Sequence, residues 1–280
     1  RDKCGVCVTS ANWLAGFDYA GYKPVWITNT GGSVKVDPLV AAVDQVQAYE
    51  RGTKNVFLLD TVLDTIKQFE PHDVVFMDWS GSVLHPEIAN VILKEAKTRE
   101  LRVAVRVHSQ LLQGLDLRHV DTLVLPFPIS EALTLQDNEL PKYFLHFVVP
   151  HPAPPANGVP WTGQRIIAGF GGPNRMPHDY VRGIVESMGW HYLQVDGSGP
   201  WKPVANVVGE LTRAAVVVLF YAPLAGVGRS SALSVALAAQ RPTVCSDCKF
   251  LRDAERWGGV TDEVELEEAI ARAIARHGIA

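Results

Sequence analysis

Val216-Val-Val-Leu-Phe-Tyr-Ala-Pro-Leu-Ala-Gly-Val-Gly-Arg-Ser-Ser-Ala-Leu-Ser-Val-Ala-Leu-Ala-Ala-Gln-Arg-Pro-Thr-Val-Cys-Ser-Asp247 is the stretch that decides the fold. It opens with an uninterrupted apolar run, 216–221, which is typical of a parallel strand covered on both faces. The glycines that follow allow a sharp turn. Residues 231–239 are apolar on nearly all sides, which predicts a buried helix. A second strand after Pro242 completes a strand–loop–helix–strand unit.

The loop of this unit is a candidate phosphate site. Serines are good N-cap residues, and the backbone N–H groups and dipole of a helix start favour an anion. An arginine beside them adds guanidinium donors. The predicted phosphate ligands are Gly226, Gly228, Arg229, Ser230 and Ser231. A purely structural turn is the alternative interpretation of the same loop.

The pattern resembles the second domain of glycosyltransferases of the GT-B fold, in which an apolar strand, a Gly-x-Gly loop, a helix of small residues and a strand opened by Pro-Val-Val follow one another. Pro242-Thr-Val-Cys-Ser-Asp247 is similar to the last of these elements. The resemblance implies two Rossmann-like domains facing across a cleft and a nucleotide-sugar donor. Many retaining members carry a glutamate at the loop and another in the helix. This chain has no acid at 225–227 or 234–235, which favours inversion.

The composition is that of a globular protein. The chain has 280 residues, 47% of them hydrophobic, which is enough for one large domain or two modest ones. Residues 1–150 hold 14 basic and 18 acidic residues, and residues 151–280 hold 12 of each. Neither half therefore has the bulk positive charge that a nucleic-acid partner favours. No apolar run is long enough to span a membrane, so we expect a soluble, cytoplasmic protein.

Strand and helix signals alternate along most of the chain, which predicts the α/β class with parallel sheets. In residues 1–150 we expect strands at 24–28, 55–59, 73–77, 102–107, 121–125 and 144–149, with helices near 38–51, 61–69 and 86–99. Residues 151–160 are rich in proline and are predicted to be a linker. Residues 161–280 form the second domain, with strands at 165–169, 191–195, 216–221 and 243 onward, and helices near 177–188, 204–213, 231–239 and 261–277. The last helix is expected to be capped by Thr261 or Asp262.

Ligands of open α/β sheets bind beyond the carboxyl ends of the strands, and this rule selects candidates in the second domain. Gly171, Gly172 and Arg175 follow its first strand, and Asp196 follows the next. With Lys202, Arg175 forms the basic pair that, by the resemblance, neutralises the departing diphosphate. Solvated surface side chains are the alternative for both cations.

The first domain offers a glycine turn and two side chains at strand ends. Gly31 and Gly32 follow the first strand and could approach a phosphate or a sugar. Asp78 could take the proton of an acceptor hydroxyl, as an inverting transferase requires, or it could cap the next segment. His108 could bind a sugar hydroxyl, or be satisfied by local backbone. Asp18, in an N-terminal stretch that we expect to be less regular, is a second choice of base.

The four cysteines form two CxxC pairs, Cys4 with Cys7 and Cys245 with Cys248. They could hold zinc if the fold brought the pairs together, but reduced thiols are the preferred interpretation. No P-loop and no Gly-x-Ser-x-Gly elbow is present, and Gly169-Phe-Gly-Gly lacks the third glycine of a dinucleotide fingerprint. We therefore predict no metal and no cofactor, the nucleotide sugar being a co-substrate.

Taken together, these patterns predict a glycosyltransferase that moves a sugar from a nucleotide-diphosphate sugar to a hydroxyl group. The acceptor is left open among a glycan, a small molecule and modified DNA. The alternatives are a viral-type DNA glycosyltransferase that acts on a hydroxylated base, a sugar-nucleotide epimerase, and a sugar- or nucleotide-binding protein without catalysis.

Overall fold

A computed structural model describes residues 5–29, 44–49, 56–71, 73–79, 85–107, 114–125, 145–148, 160–196, 202–222, 230–248, 251, 254, 259–262 and 265–279. Its α-helices are α1 (Gly5–Tyr19), α2 (Val56–Phe69), α3 (Pro86–Thr98), α4 (His178–Ser187), α5 (Val204–Leu211), α6 (Ser231–Ala238) and α7 (Leu266–Arg276). Its strands are β1 (Val25–Asn29), β2 (Asp44–Tyr49), β3 (Asp73–Trp79), β4 (Arg102–Val107), β5 (Thr122–Leu125), β6 (Leu145–Val148), β7 (Ile166–Phe170), β8 (His191–Val195), β9 (Val216–Leu219), β10 (Thr243–Ser246) and β11 (Gly259–Asp262).

The described chain folds into two compact units. The amino-terminal unit contains the described residues of 13–148. The carboxyl-terminal unit contains those of 160–279, with residues 5–12 counted to it. The predicted linker lies outside the described residues except for Pro160.

The amino-terminal unit is built on parallel strands. β1 pairs with β2, and a separate four-stranded sheet has the order β3-β4-β5-β6. On α3, the apolar residues recur every three or four positions and are buried, which is the spacing that gives a helix one apolar face. Ile88 and Ile92 on this face pack with Val62 and Ile66 of α2.

The carboxyl-terminal unit is a five-stranded parallel sheet with the order β11-β10-β9-β7-β8. Numbered along the unit, this order is 2-1-3-4-5, the doubly wound order found in flavodoxin-like sheets. All four residues of β9 are buried, as expected for a parallel strand between two neighbours. No residue of α6 is exposed, so its prediction as a buried helix is confirmed. The α/β class with parallel sheets is confirmed as well.

Three predicted elements are wrong. A strand was expected at 55–59, but residues 56–59 belong to α2. Leu59 continues the helical spacing of Val62 and Ile66, which a short apolar run does not reveal. Within 38–51, residues 44–49 form β2, whose polar and apolar residues alternate. The last helix begins at Leu266 instead of 261, since Gly259–Asp262 pair with β10. The N-terminal stretch is regular, for Asp18 lies in α1 and is exposed.

Candidate functional site

The site lies at the carboxyl ends of β7 and β9 in the carboxyl-terminal unit. These strands are neighbours, and the chain leaves β7 for one half of the sheet and β9 for the other. Such a topological switch point is where open parallel sheets bind ligands, because the loops diverge and leave a crevice. The loop after β7 contains Gly171, Gly172 and Arg175, and the segment after β9 contains Tyr221.

Gly171 is required by the geometry of the loop. Its φ is +153°, a conformation that side chains other than hydrogen rarely allow. A Cβ at this position would lie 2.8 Å from Cε1 of Tyr221. The Gly171 N–H donates to the carbonyl of Val195 at 3.2 Å. The absence of a side chain therefore lets the loop lie directly against the ring of Tyr221.

A tight turn follows at Gly172. The N–H groups of Arg175 and Met176 donate to the Gly172 carbonyl at 2.9 and 3.0 Å, and Pro173 occupies the turn position that favours its fixed φ. The carbonyl of Arg175 accepts a hydrogen bond from the N–H of Ala222 at 3.2 Å, which ties this turn to the segment after β9. The side chain of Arg175 is exposed at the crevice. The predicted residues Gly171, Gly172 and Arg175 are thus brought together.

Tyr221 is a buried polar residue at the centre of the site, 3% exposed. Its backbone N–H donates to Oγ of Ser246, and the Ser246 hydroxyl donates to the Tyr221 carbonyl, each at 2.9 Å. The phenol is hydrogen-bonded to the side chain of Ser230. Burial raises the pKa of Tyr221, while the Ser230 hydrogen bond and the charge of Arg175 oppose the rise. The phenol is therefore a neutral hydrogen-bonding group at physiological pH.

Ser230 is the N-cap residue of α6, as predicted, but its side chain makes no capping hydrogen bond. Its hydroxyl bonds Tyr221 instead. The N–H groups in the first turn of α6, which begins at Ser231, therefore receive no hydrogen bond from the hydroxyl of the N-cap residue. Such N–H groups can bind an external anion. Gly226, Gly228 and Arg229, the rest of the predicted loop, lie outside the described residues.

A polar network between α4 and β8 holds the other side of the loop. His178, the first residue of α4, is 6% exposed and bridges the Gly171 carbonyl, at 2.8 Å from Nε2, and the Tyr192 hydroxyl, at 2.6 Å from Nδ1. Asp196 accepts a hydrogen bond from the side-chain amide of Gln194 and is half-buried. Asp196 thus lies one strand away from the switch point.

Lys202, the second cation of the predicted basic pair, has a carboxylate partner in the structure. Its ammonium group forms an ion pair with Glu210 of α5. About half of its side chain is exposed, so the ion pair is open to solvent and weak. A diphosphate ligand would have to compete with this carboxylate for Lys202, whereas no carboxylate of the described chain forms an ion pair with Arg175.

In the amino-terminal unit the predicted residues follow or end strands. Asp78 lies in β3, where the pairing with β4 passes from Phe76↔Val105 to Trp79↔Val107. Because β3 uses one residue more than β4 over this interval, the register of the two strands shifts beside Asp78. His108 follows β4, and Gly31 and Gly32 follow β1; these three lie outside the described residues.

The same unit contains a cation that the sequence analysis did not select. Arg106 of β4 is 2% exposed, and its guanidinium lies 5.4 Å from the ring centroid of Trp13 in α1. Burial lowers the pKa of Arg106 to about 9. The sequence of β4 did not indicate that the Arg106 side chain is buried, because a charged residue in a strand is usually expected to face solvent.

The cysteine pairs are described only in part. Cys4 lies outside the described residues, and Cys7 lies in α1. Cys245 and Cys248 are buried thiols without a disulfide. Burial raises the pKa of Cys245, and Cys248 adds to the rise. Within the described ranges no cluster of three or more His, Cys, Asp or Glu residues could hold a metal ion.

No protein-family model matches this chain, and no curated protein matches it either. Among the helices of the described residues, none combines the length and the apolar character that crossing a membrane requires. The basis for a function is therefore the site itself.

Three residues of the site were missed by sequence reasoning, namely Tyr221, His178 and Tyr192. Tyr221 ends an apolar run and was counted as part of the strand, although a tyrosine at a strand end beside a glycine loop is a usable signal. His178 and Tyr192 are 14 residues apart on a helix and a strand, and only their packing brings them together.

Proposed function

We propose that this chain is a glycosyltransferase that uses a nucleotide-diphosphate sugar, with the donor diphosphate bound at the switch point of the carboxyl-terminal unit. The observation that carries the proposal is the loop after β7, in which Gly171 lies against Tyr221 and Arg175 is exposed at the crevice. The amino-terminal unit is proposed to bind the acceptor. The facing of the two domains across a cleft belongs to the same proposal.

Three features of the carboxyl-terminal site suit a diphosphate. Two adjacent glycines let a ligand approach the backbone of the loop closely. Arg175 supplies an exposed cation, which can stabilise the charge that develops on a departing nucleotide diphosphate. The first turn of α6 begins in the same region, and its dipole favours an anion.

The chemistry on the acceptor is assigned to Asp78. A carboxylate near the end of β3 can accept the proton of an attacking hydroxyl group. His108 is proposed to position the transferred sugar. The proposed stereochemistry is inversion, since a single base is sufficient and no glutamate pair is present at the loop and helix.

The first test is a thermal-shift panel of UDP-, GDP-, ADP-, CMP- and dTDP-sugars. A ligand at 100 times its dissociation constant stabilises a protein by about 2.7 kcal/mol, which corresponds to a rise in Tm of a few degrees. One donor is expected to give such a rise, and nucleotide release can then be followed while acceptors are screened. A panel without any shift, free nucleotides included, would show that the proposed donor site is wrong.

Matched variants separate binding from turnover. Arg175→Ala should weaken donor binding by about tenfold, because it removes a charge-assisted contact to phosphate. Arg213→Ala removes the same charge from an exposed position at the opposite, amino-terminal end of β9 and should leave binding unchanged.

Asp78→Asn should preserve donor binding and lower turnover by roughly 10²- to 10⁴-fold. Asp64→Asn, at an exposed site of α2, is its control. Donor binding without turnover in the unmodified protein, for every acceptor class, would favour the non-catalytic alternative.

A further inference from the structure

The hydrogen bonds of His178 define which of its ring nitrogens carries the proton. The Gly171 carbonyl can only accept, so Nε2, 2.8 Å away, must donate to it. In the neutral imidazole Nδ1 is then an acceptor, and the hydroxyl of Tyr192, 2.6 Å away, is its donor. The Gly171 carbonyl therefore requires the Nε2–H tautomer of His178, and the Tyr192 hydroxyl supports that tautomer by donating to Nδ1.

The backbone is shaped to allow this contact. A Cβ built at Gly169 of β7 would overlap the Tyr192 hydroxyl, so the absence of a side chain opens the path from Tyr192 to His178. Arg182 lies over the Tyr192 ring, 5.4 Å from its centroid, and is itself held by Asp179 and Gln194 at 2.8 Å each. The Tyr192 ring is thus contacted on its face by Arg182, and its hydroxyl lies close to the backbone of Gly169.

The contact also orients the loop. In a trans peptide the C=O and N–H groups point in opposite directions, so holding the Gly171 carbonyl on His178 directs the N–H of Gly172 away from that buried imidazole. Gly172 is exposed. Both residues flanking this peptide are glycines, which can also adopt the flipped orientation, and a flipped peptide would turn a carbonyl oxygen toward a bound anion.

We propose that His178 and Tyr192 are positioning residues of the phosphate-binding loop, with the Tyr192 hydroxyl supporting the imidazole tautomer that holds the Gly171–Gly172 peptide in its anion-binding orientation. This inference rests on the proposed function, because it assigns a role at the same loop. It adds that the loop binds phosphate through a backbone N–H whose direction is set by the hydrogen bond from His178.

The surroundings of Tyr192 determine the protonation of its hydroxyl. The charged and titratable groups that act on Tyr192 are Arg182 and Asp179 on α4 and Asp196 after β8. β7 contributes no titratable side chain, and the buried residues of α7, which also contacts α4, are apolar. Burial raises the pKa of Tyr192, so its hydroxyl stays a donor.

Tyr192→Phe gives the decisive variant, with Tyr180→Phe as control because Tyr180 is half-exposed on the helix that carries His178. Without the hydroxyl, His178 loses the hydrogen bond at Nδ1, and the Nδ1–H tautomer, which presents a lone pair to the Gly171 carbonyl, becomes accessible. Tyr192→Phe should therefore bind inorganic pyrophosphate about three- to tenfold more weakly than wild type in calorimetry, whereas Tyr180→Phe should bind it as wild type does.

Each result has a defined meaning. Weaker binding by Tyr192→Phe together with unchanged binding by Tyr180→Phe supports the proposal, and equal binding by Tyr192→Phe and wild type overturns it. A loss of the same size in Tyr180→Phe also overturns it, since a general loss of structure would have that effect.

Two further measurements keep the test independent of folding and of the ligand. If Tyr192→Phe unfolds, His178→Gln, whose side-chain amide can still donate, should bind pyrophosphate more tightly than His178→Leu, and equal binding overturns the proposal. Imidazole ¹⁵N shifts should show the Nε2–H tautomer in the ligand-free wild type, and the Nδ1–H form there would overturn the assignment. Absence of pyrophosphate binding by wild type would overturn the proposed function, while the ¹⁵N result would still report on the tautomer.

Discussion

The two units place an arginine near the carboxyl end of a strand in opposite ways. Arg175 follows β7 and is exposed, whereas Arg106 belongs to β4 and is 2% exposed beneath Trp13. An exposed guanidinium keeps its charge at no desolvation cost and can exchange water for a phosphate. A buried one has already lost its water, which lowers the pKa of Arg106 to about 9. Position at a strand end therefore does not by itself make an arginine a ligand-binding residue.

The difference extends to the residues around each arginine. At the end of β7 the backbone comes close to Tyr221 because Gly171 has no side chain, and the polar groups there bond one another. At the end of β4 the arginine is itself buried against Trp13 and contributes to the core of its unit.

Replacing Gly171 should have the largest effect. Gly171→Ala would put a Cβ 2.8 Å from the Tyr221 ring at a φ of +153°. Overpacking and backbone strain together predict a loss of about 3 to 4 kcal/mol in the free energy of unfolding. Chemical denaturation measures the loss. Gly172→Ala, where nothing lies within 4 Å of the added Cβ, is the matched control and should cost less than about 1 kcal/mol. Equal losses in both variants would show that Tyr221 does not fix the loop.

Much of this arrangement could be predicted from the sequence, and the limit has a physical origin. The strand predicted at 216–221, the buried helix α6 and the strand after Pro242 follow from local apolar pattern, and the structure has all three, with the first strand ending at Leu219. The contact of His178 with Tyr192 depends on how α4 packs against β8, which no local pattern encodes.

The second prediction is that removing the two arginines has opposite effects on stability and on affinity. Arg106→Ala should lower the free energy of unfolding by about 2 to 3 kcal/mol, because the buried stem of the side chain packs inside its unit. It should leave pyrophosphate affinity unchanged. Arg175→Ala should do the reverse, with a change in stability below about 0.5 kcal/mol and a clear loss of affinity. Denaturation measures the stability of both variants, and calorimetry measures their affinity for pyrophosphate. A loss of affinity in Arg106→Ala alone would mean that Arg106, and not Arg175, binds the ligand.

The smallest effect concerns alkaline pH, where buried groups of the two units act with opposite signs. Burial raises the pKa of Cys245, so the folded protein keeps a proton that the unfolded chain loses above about pH 8.5, and stability falls as pH rises. The pKa of Arg106 is lowered from 12.5 to about 9, so above that pH the unfolded chain binds the extra proton and stability rises.

Removing either group should therefore change the pH dependence in a defined direction. Between pH 7 and 10, Cys245→Ala should lose less stability than wild type, by about 1 kcal/mol at the alkaline end. Arg106→Ala should lose more than wild type over the same range, because it lacks the opposing contribution. Denaturation at a series of pH values measures both curves relative to wild type. Curves that stay parallel to wild type would mean that neither group is desolvated as its burial indicates, and the contrast between the two strand ends would then rest on ligand binding alone.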